Sequence, residues 1–480
     1  MITKLKMNLL YNIAYQLLNL CLPIVTVPYI SRTLGVEGNG IYSYTYSIVN
    51  YFMIFAMLGI SNYGNRTIAK NKDDKEKLSK EFLSIYLLQC FFTSVSIIVY
   101  LFYCLFISEY SVISLIEIIF LFSTLLDISW LYFGLEEFKK TVTRNVVVKV
   151  LSLILIFLLV KTSNDLILYT AIMSLSTLIS QIVLWISIRK YITLKEVKLN
   201  KKDIKKHIKG IIILFIPVIS YSIYKIMDKI MIGLLNSVEE VAYYEYAEKI
   251  INIPIGFITA LGTVMLPKIS NLVANSELNK VKDYLFKAIK FVMFLAIPCS
   301  LGLIAVGFEF AVFFLGEEYS NSGILIKLLA LTIPFTAWAN VIRTQWLIPK
   351  EKDNIYISTT LLGALVNFII NLLLIPKHGA LGACVGTVCS EALITILQSF
   401  LSRKEISFKI FLKPILYFTF AGLVMFIVIQ LIGKYINNKL IMIMLKVLIG
   451  VAIYGILNLK YVKELLPIKR KSQSINNLSE

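Results

Sequence analysis

Apolar segments follow one another along this chain with short polar gaps, and each is close to the roughly 20 residues a helix needs to cross a bilayer. Fourteen are read: 7–30, 41–62, 82–107, 112–134, 145–161, 166–188, 211–235, 241–266, 285–307, 323–347, 355–376, 379–401, 410–433 and 439–459. Several are interrupted by proline or charge, which a helix buried in a bundle tolerates and a lipid-facing one does not. The first is too long for a cleaved signal segment and lacks a small-residue cleavage site, so it is read as an uncleaved span. Composition agrees. Of 480 residues, 58% are apolar and 16% charged, whereas a soluble chain has roughly 45–50% and 25%. Water-soluble, disordered and collagen-like classes are excluded. The expectation is an all-α polytopic membrane protein with about fourteen transmembrane helices.

The net charge of +19 would suit a nucleic-acid partner in a soluble protein, but its distribution argues otherwise. Lysine and arginine crowd the ends and the even-numbered loops. On the opposite side lie only Arg32, Lys161, Lys377, Lys434 and Lys439. Basic residues stay cytoplasmic during insertion, so both termini are expected in the cytoplasm, with no nucleic-acid partner. The basic stretch after the sixth segment reads as a linker between halves. Residues 36–50 and 238–252 align without a gap, sharing Val, Glu, Tyr, Tyr, Ile and Asn at 36, 37, 42, 44, 48 and 50. Both stretches enter the second span of a half, so the halves share orientation and should be related by a pseudo-two-fold axis along the membrane normal, with a cavity between. The organisation expected is a six-helix bundle at 1–188, a basic linker at 189–210, a second bundle at 211–403, an extra helix pair at 404–459 and a basic cytoplasmic tail at 460–480.

The six cysteines lie in or beside apolar runs without metal-ligand or disulfide-framework spacing, and His207 and His378 are the only histidines. No metal site or catalytic residue is expected. The absence of a GxxxxGK[ST] motif argues against ATP hydrolysis.

Pro28-Tyr29-Ile30-Ser31-Arg32-Thr33-Leu34-Gly35, with Gly38, Gly40 and Tyr42 after it, resembles the opening of bacterial polysaccharide repeat-unit flippases. Asp127-Ile128-Ser129-Trp130-Leu131-Tyr132-Phe133-Gly134-Leu135-Glu136-Glu137, then Arg144-Asn145, is similar to the same family. So are Gln345-Trp346-Leu347-Ile348-Pro349, Asn367, Asn371, Ile375-Pro376-Lys377-His378-Gly379-Ala380, Gly382-Ala383 and Glu391. These are the Wzx-type members of the multidrug/oligosaccharidyl-lipid/polysaccharide exporter superfamily. The resemblance implies twelve core helices plus two, in the bacterial cytoplasmic membrane. It further implies an undecaprenyl-diphosphate-linked oligosaccharide moved to the outer leaflet for capsule or O-antigen assembly, with membrane lipids and the polysaccharide polymerase and chain-length machinery as expected partners.

Sugar hydroxyls and a diphosphate cannot cross hydrocarbon unaided, since each unpaired polar group costs several kcal/mol there. A flippase therefore needs polar and basic side chains within its spans. Lys225, Asp228 and Lys229 share one helical face, as do Glu245, Glu248 and Lys249. With Arg32 and Arg343 these are the candidate substrate-binding residues, although an ion-pair network locking two helices would explain the first six equally well. Lys327 reads as an interfacial lysine. Asp127 is the candidate for H+ or Na+ coupling. Two other readings stay open: a drug/cation antiporter of the same superfamily, with a more acidic cavity, and a membrane-embedded glycosyltransferase, polymerase or ligase using Glu309, Glu317 and Glu318 of an outer loop.

Overall fold

The computed structural model describes residues 2–193, 199–433 and 438–465, with side chains from residue 22 to 463 except 221, 224, 261 and 263. Residues 194–198 of the linker, most of the 460–480 tail and the side chains of the first segment up to 21 lie outside the described residues. Every regular element among the described residues is helical. In chain order these are α1 (Ile2–Met57), α2 (Ile60–Asn71), α3 (Lys75–Phe106), α4 (Ser111–Leu125), α5 (Ser129–Gly134), α6 (Phe138–Leu159), α7 (Leu166–Ile186) and α8 (Lys201–Leu235). There follow α9 (Val238–Ala274), α10 (Leu278–Leu315), α11 (Ser320–Leu329), α12 (Thr332–Ile342), α13 (Asp353–His378), α14 (Ala380–Ser402), α15 (Lys409–Gly433), α16 (Lys439–Leu457) and α17 (Leu459–Leu465).

Eleven helices among the described residues are long and apolar enough to cross a membrane. The number is thirteen if two bent pairs, Lys201–Ser220 with Lys225–Leu235 and Glu317–Leu329 with Thr332–Leu347, each make one span. The chain is a multi-pass membrane protein. Its spans show bare apolar faces, as on α3, where Phe91, Ile98, Phe102 and Phe106 are all more than half exposed. Such residues are at home against acyl chains, where every backbone N–H is already satisfied within its own helix.

The described contacts group into two units. The first holds residues 1–249, 314–325 and 357–390, and the second holds 250–313, 326–356 and 391–480. Five helices, α9, α10, α11, α13 and α14, therefore contribute to both.

The first unit is organised around a break in α1. What the sequence divides into two segments is here one element, interrupted at Gly35 with φ 67° and ψ −173°. A side chain would strain that backbone, and the break leaves helical carbonyls without their usual partners. Asn39 supplies them: its Nδ2 donates to Ile30 O at 3.0 Å and Gly35 O at 2.6 Å. Tyr246 of α9 donates to Asn39 Oδ1 at 2.5 Å, and Tyr319 donates to Gly35 O at 3.0 Å. Ser31 Oγ donates to Leu315 O at 2.8 Å. One turn on, a Cβ at Gly40 would lie 2.0 Å from Val238 O, so only glycine lets α1 touch the start of α9. The SRTLGVEGNG stretch thus encodes a polar helix break and a close crossing.

A second knot closes the other end of the unit. Gln89 of α3 donates to Thr124 O at 2.8 Å and Asp127 O at 2.9 Å, and its Oε1 accepts from Trp130 Nε1 at 3.0 Å. Trp185 donates to Leu126 O at 2.8 Å, and Tyr132 donates to Leu184 O at 2.5 Å. The bonds to Thr124 O, Leu126 O and Asp127 O serve carbonyls freed where α4 gives way to α5, and the bond to Leu184 O serves the end of α7.

In the second unit the C-terminal helices are bound by a buried charge. Lys446 of α16 meets Glu309 of α10 at 2.9 Å and also donates to Ala305 O at 3.3 Å. Tyr454 donates to Phe294 O at 3.0 Å. Glu309, expected in a loop, is inside α10. Outside the spans, Lys350 (2.6 Å) and Lys352 both donate to Glu405 and hold its carboxylate below its ordinary range.

Asn39→Ala should lower the stability of the purified protein by about 2 kcal/mol, because two carbonyls and a tyrosine hydroxyl lose a buried partner together. The expected result is a reduced thermal midpoint in detergent that Asn39→Asp does not fully restore. The Glu405 pair carries a pH signature. Its carboxylate titrates lower when folded than the free value of about 4.3, so its stabilisation is complete above that value and fades as pH falls through the lowered one. Glu405→Gln should therefore flatten the acid limb of the stability curve.

Candidate functional site

The face of α8 that carries Lys225, Asp228 and Lys229 meets the face of α9 that carries Glu245, Glu248 and Lys249. Lys229 Nζ lies 2.7 Å from Glu245 Oε2 and 3.4 Å from Glu248 Oε2. Lys249 bonds the other oxygen of Glu245 at 3.1 Å, and Lys225 approaches Glu248 Oε1 at 3.9 Å. Three cations and three acids, counting Asp228, leave these six residues with no net charge. The burial is graded. Lys229 is 15% exposed, whereas Lys225 and Lys249 are 28% and 40% exposed. The network thus has a buried centre and two partly open lysines at its edges. Lys249 also lies 4.6 Å from the centroid of the Tyr246 ring, the same tyrosine that holds the α1 break.

Asp228 sits one residue from Lys229 yet stays out of its ion pairs and faces a different set of groups. Its Oδ1 accepts from Asn371 Nδ2 at 2.7 Å. Its Oδ2 accepts from Tyr244 at 2.6 Å and Thr387 Oγ1 at 2.9 Å. Asn371 Nδ2 is also 3.2 Å from Asn367 Oδ1, and Thr387 donates to Ala383 O at 3.0 Å. Asn371 Oδ1 and Asn367 Nδ2 are buried without a partner among the described residues. This is a carboxylate in a nest of neutral polar groups with spare acceptor capacity, on α8, α9, α13 and α14. Tyr244 comes from the 36–50/238–252 repeat. Asn367 and Asn371 come from the third stretch of family resemblance.

Asp127, by contrast, lies partly buried between α4 and α5, its Oδ1 accepting from Ser129 N at 2.8 Å. The fully buried acid of that half is Glu117 of α4, which the sequence reading passed over. It accepts from Thr45 Oγ1 at 3.0 Å, lies 3.5 Å from the Tyr100 hydroxyl, and has no basic partner among the described residues. The signal that could have found it was present, an acid inside a long apolar run. Arg32 lies at the α1 break, exposed, with its side chain beside Gly316. In the second unit, Arg343 sits 5.4 Å over the Tyr356 ring and Lys327 5.8 Å over Phe308. Arg343 opens a π-helical turn, Arg343–Leu347, in which buried Gln345 has neither amide atom paired among the described residues. Single π turns tend to occur at functional positions.

Apolar spans that bury a charge-balanced lysine–carboxylate network place this chain among polytopic membrane proteins with polar groups inside the bundle. The family described as polysaccharide biosynthesis protein matches residues 5–273, and the MatE family matches 214–373. The chain belongs to the polysaccharide biosynthesis protein family and, as its sequence resemblance implied, is a Wzx-type flippase of the multidrug/oligosaccharidyl-lipid/polysaccharide exporter superfamily. It is 26% identical over 397 residues to a protein named as an O-antigen transporter in Shigella dysenteriae, an alignment covering 82% of this chain and 99% of that one. The solved lipid II flippase MurJ, in an inward closed conformation, matches 95% of this chain and 99% of its own at a TM-score of 0.72 and 18% identity. An inward-facing multidrug transporter of the MATE family matches 80% of this chain and 94% of its own at 0.61 and 13%. At those identities the structures speak for the fold. The relatives are named as transporters and flippases, so the chain is not an enzyme.

Lys229→Gln would remove the buried cation shared by Glu245 and Glu248, leaving them only the more exposed Lys249 and Lys225, and should cost about 1–3 kcal/mol. The charge-swapped pair Lys229→Glu with Glu245→Lys should recover part of that loss. Thermal unfolding of the two proteins in detergent checks it, and equal instability of both would show that the seam is held by other contacts.

Proposed function

We propose that this chain carries undecaprenyl-diphosphate-linked oligosaccharide repeat units from the inner to the outer leaflet of the bacterial cytoplasmic membrane, for O-antigen or capsule assembly. Translocation proceeds by alternating access, both termini lie on the cytoplasmic side, and the delivered unit passes to polymerase and chain-length machinery. The observation that carries this reading is the α8–α9 network, in which Lys225 and Lys249 are more exposed than Lys229.

A diphosphate entering such a network takes lysine donors from Glu248 and Glu245 instead of from water. The exchange replaces water with lysine donors at the headgroup, and the displaced carboxylates of Glu245 and Glu248 then need a proton or another cation, which ties headgroup binding to cation uptake. Arg32 and Arg343 supply further cations along the route, and Asp228, Glu245 and Glu248 complete the proposed substrate-binding set. The six-residue network is neutral at rest, so the binding site becomes cation-lined only when its acids are displaced.

We infer that H+ or Na+ coupling acts at Asp228 rather than at Asp127. Hard cations take oxygen ligands, and Asp228, Thr387, Ala383 O and the unpaired Asn371 Oδ1 offer them in one buried place. The membrane potential contributes in the same direction. Inside-negative polarisation is worth about 2.3 kcal/mol per charge per 100 mV, which favours outward passage of a diphosphate by roughly 4–5 kcal/mol.

The test is flipping by the reconstituted full chain, with arrival of the oligosaccharide scored by a membrane-impermeant sugar probe. Lys225→Gln with Lys249→Gln should slow it about tenfold or more, the effect of two lost charge-assisted hydrogen bonds. Asp228→Asn should leave substrate binding measurable and abolish the response to H+ and Na+ gradients. Flipping that ignores both the potential and those gradients would defeat the coupling reading.

A further inference from the structure

Basic residues at the end of the first unit where α2 and α8 approach each other fall into two groups. Lys72 pairs with Glu136 at 3.0 Å, Lys80 pairs with Asp203 at 3.0 Å, and Lys206 pairs with Glu81. Arg66 and Lys70 of α2, and Lys205 and Lys209 of α8, have no carboxylate partner among the described residues. Arg66 and Lys70 are one helical turn apart and point to the same side. They line a cleft of about 360 Å³ together with Tyr63, Gly210, Ile213 and Leu214. Lys205 and Lys209 line a second recess that shares Ile213 with the first.

The walls of this cleft are held in place. The Tyr63 hydroxyl lies 2.9 Å from His207 Nδ1, and His207 Nε2 lies 3.2 Å from Glu81. A Cβ at Gly210 would sit 2.2 Å from the Tyr63 ring, and one at Gly59 would sit 2.2 Å from Ile211 O. Two glycines therefore let α2 and α8 come close enough to form the floor. Immediately beyond the cations, α8 turns apolar. Ile212, Ile213 and Ile216 are 50%, 54% and 45% exposed and run along the helix away from the charged end.

We propose that this cleft binds the phosphate headgroup of a lipid, with Arg66 and Lys70 as the anion-binding pair and its chain laid along Ile212, Ile213 and Ile216. Arginine grips two phosphate oxygens through its planar fork, and lysine adds a point charge. A cleft of this size admits a phosphate or diphosphate. The juxtaposition of cations with an exposed apolar track selects an amphiphile over a free anion. Two lipids share this chemistry, a bilayer phospholipid such as phosphatidylglycerol and a polyprenyl diphosphate. The site is separate from the α8–α9 network, and its occupancy is read by binding, independently of whether the chain transports the ligand.

The experiment titrates the full chain in a neutral detergent with farnesyl diphosphate, dihexanoyl phosphatidylglycerol and inorganic pyrophosphate, following affinity at two salt concentrations. Arg66→Gln with Lys70→Gln should weaken both lipids about tenfold or more. A charge-matched control, Lys139→Gln with Lys282→Gln, should stay within about twofold of the unaltered protein. Arg66→Lys with Lys70→Arg should recover most of the affinity, which guards against a folding defect. A loss for both lipids makes this a general lipid-phosphate site, and a loss confined to farnesyl diphosphate makes it a diphosphate-lipid site; either supports the proposal. Pyrophosphate binding as tightly as farnesyl diphosphate, or a control as weak as the double variant, overturns it.

Discussion

A charge within hydrocarbon persists only beside an opposite charge or a set of fixed dipoles, because water is not there to solvate it. The seam between α8 and α9 is arranged around that constraint. Lys229 can lie deep because two carboxylates converge on it, and those carboxylates can lie there because Lys225 and Lys249 take up their remaining oxygens. Removing any one member changes the electrostatic environment of the rest. The two helices are thereby committed to one register, and the lysines nearest the edge of the network are the ones most open to their surroundings.

The break in α1 applies the same constraint to the backbone. A helix interrupted in a membrane exposes carbonyls that must be satisfied within the protein. Asn39 and Tyr319 do this at Gly35, with Tyr246 holding Asn39, and Gln89 and Trp185 do it where α4 yields to α5, with Trp130 holding Gln89. Both stretches were prominent in the family resemblance. Their side chains are occupied with holding irregular backbone in place, which accounts for much of the resemblance in structural terms.

The spans were legible from hydropathy, since length and apolar content are what a bilayer selects. Their number was less so. Gly35 carries its break by one dihedral angle, and the bends in α8 and between α11 and α12 leave runs of apolar residues that look continuous in one dimension. Lys225, Asp228, Lys229, Glu245, Glu248 and Lys249 were legible as chemistry because charge inside a span is rare. Their sorting was not. Periodicity places Asp228 with its lysine neighbours, whereas the structure turns it toward Tyr244, Asn371 and Thr387, the last two more than a hundred residues away. Asp127, the coupling candidate of the first half, lies partly buried between α4 and α5 and accepts from Ser129 N. Glu117 occupies the buried position in that half, its surroundings set by Thr45 and Tyr100 from other helices.

The ion pair between Lys446 and Glu309 has a consequence for how such a chain can gain or lose its last helices. An added segment that brings only apolar surface can be discarded again with little penalty. One that inserts a cation against an older helix, and meets an acid there, makes each residue depend on the other. Deletion of α15 and α16 would then leave Glu309 as an unneutralised anion, so the older helix has become the hostage of its own addition. What reads from hydropathy as an optional extension is in this respect a one-way acquisition.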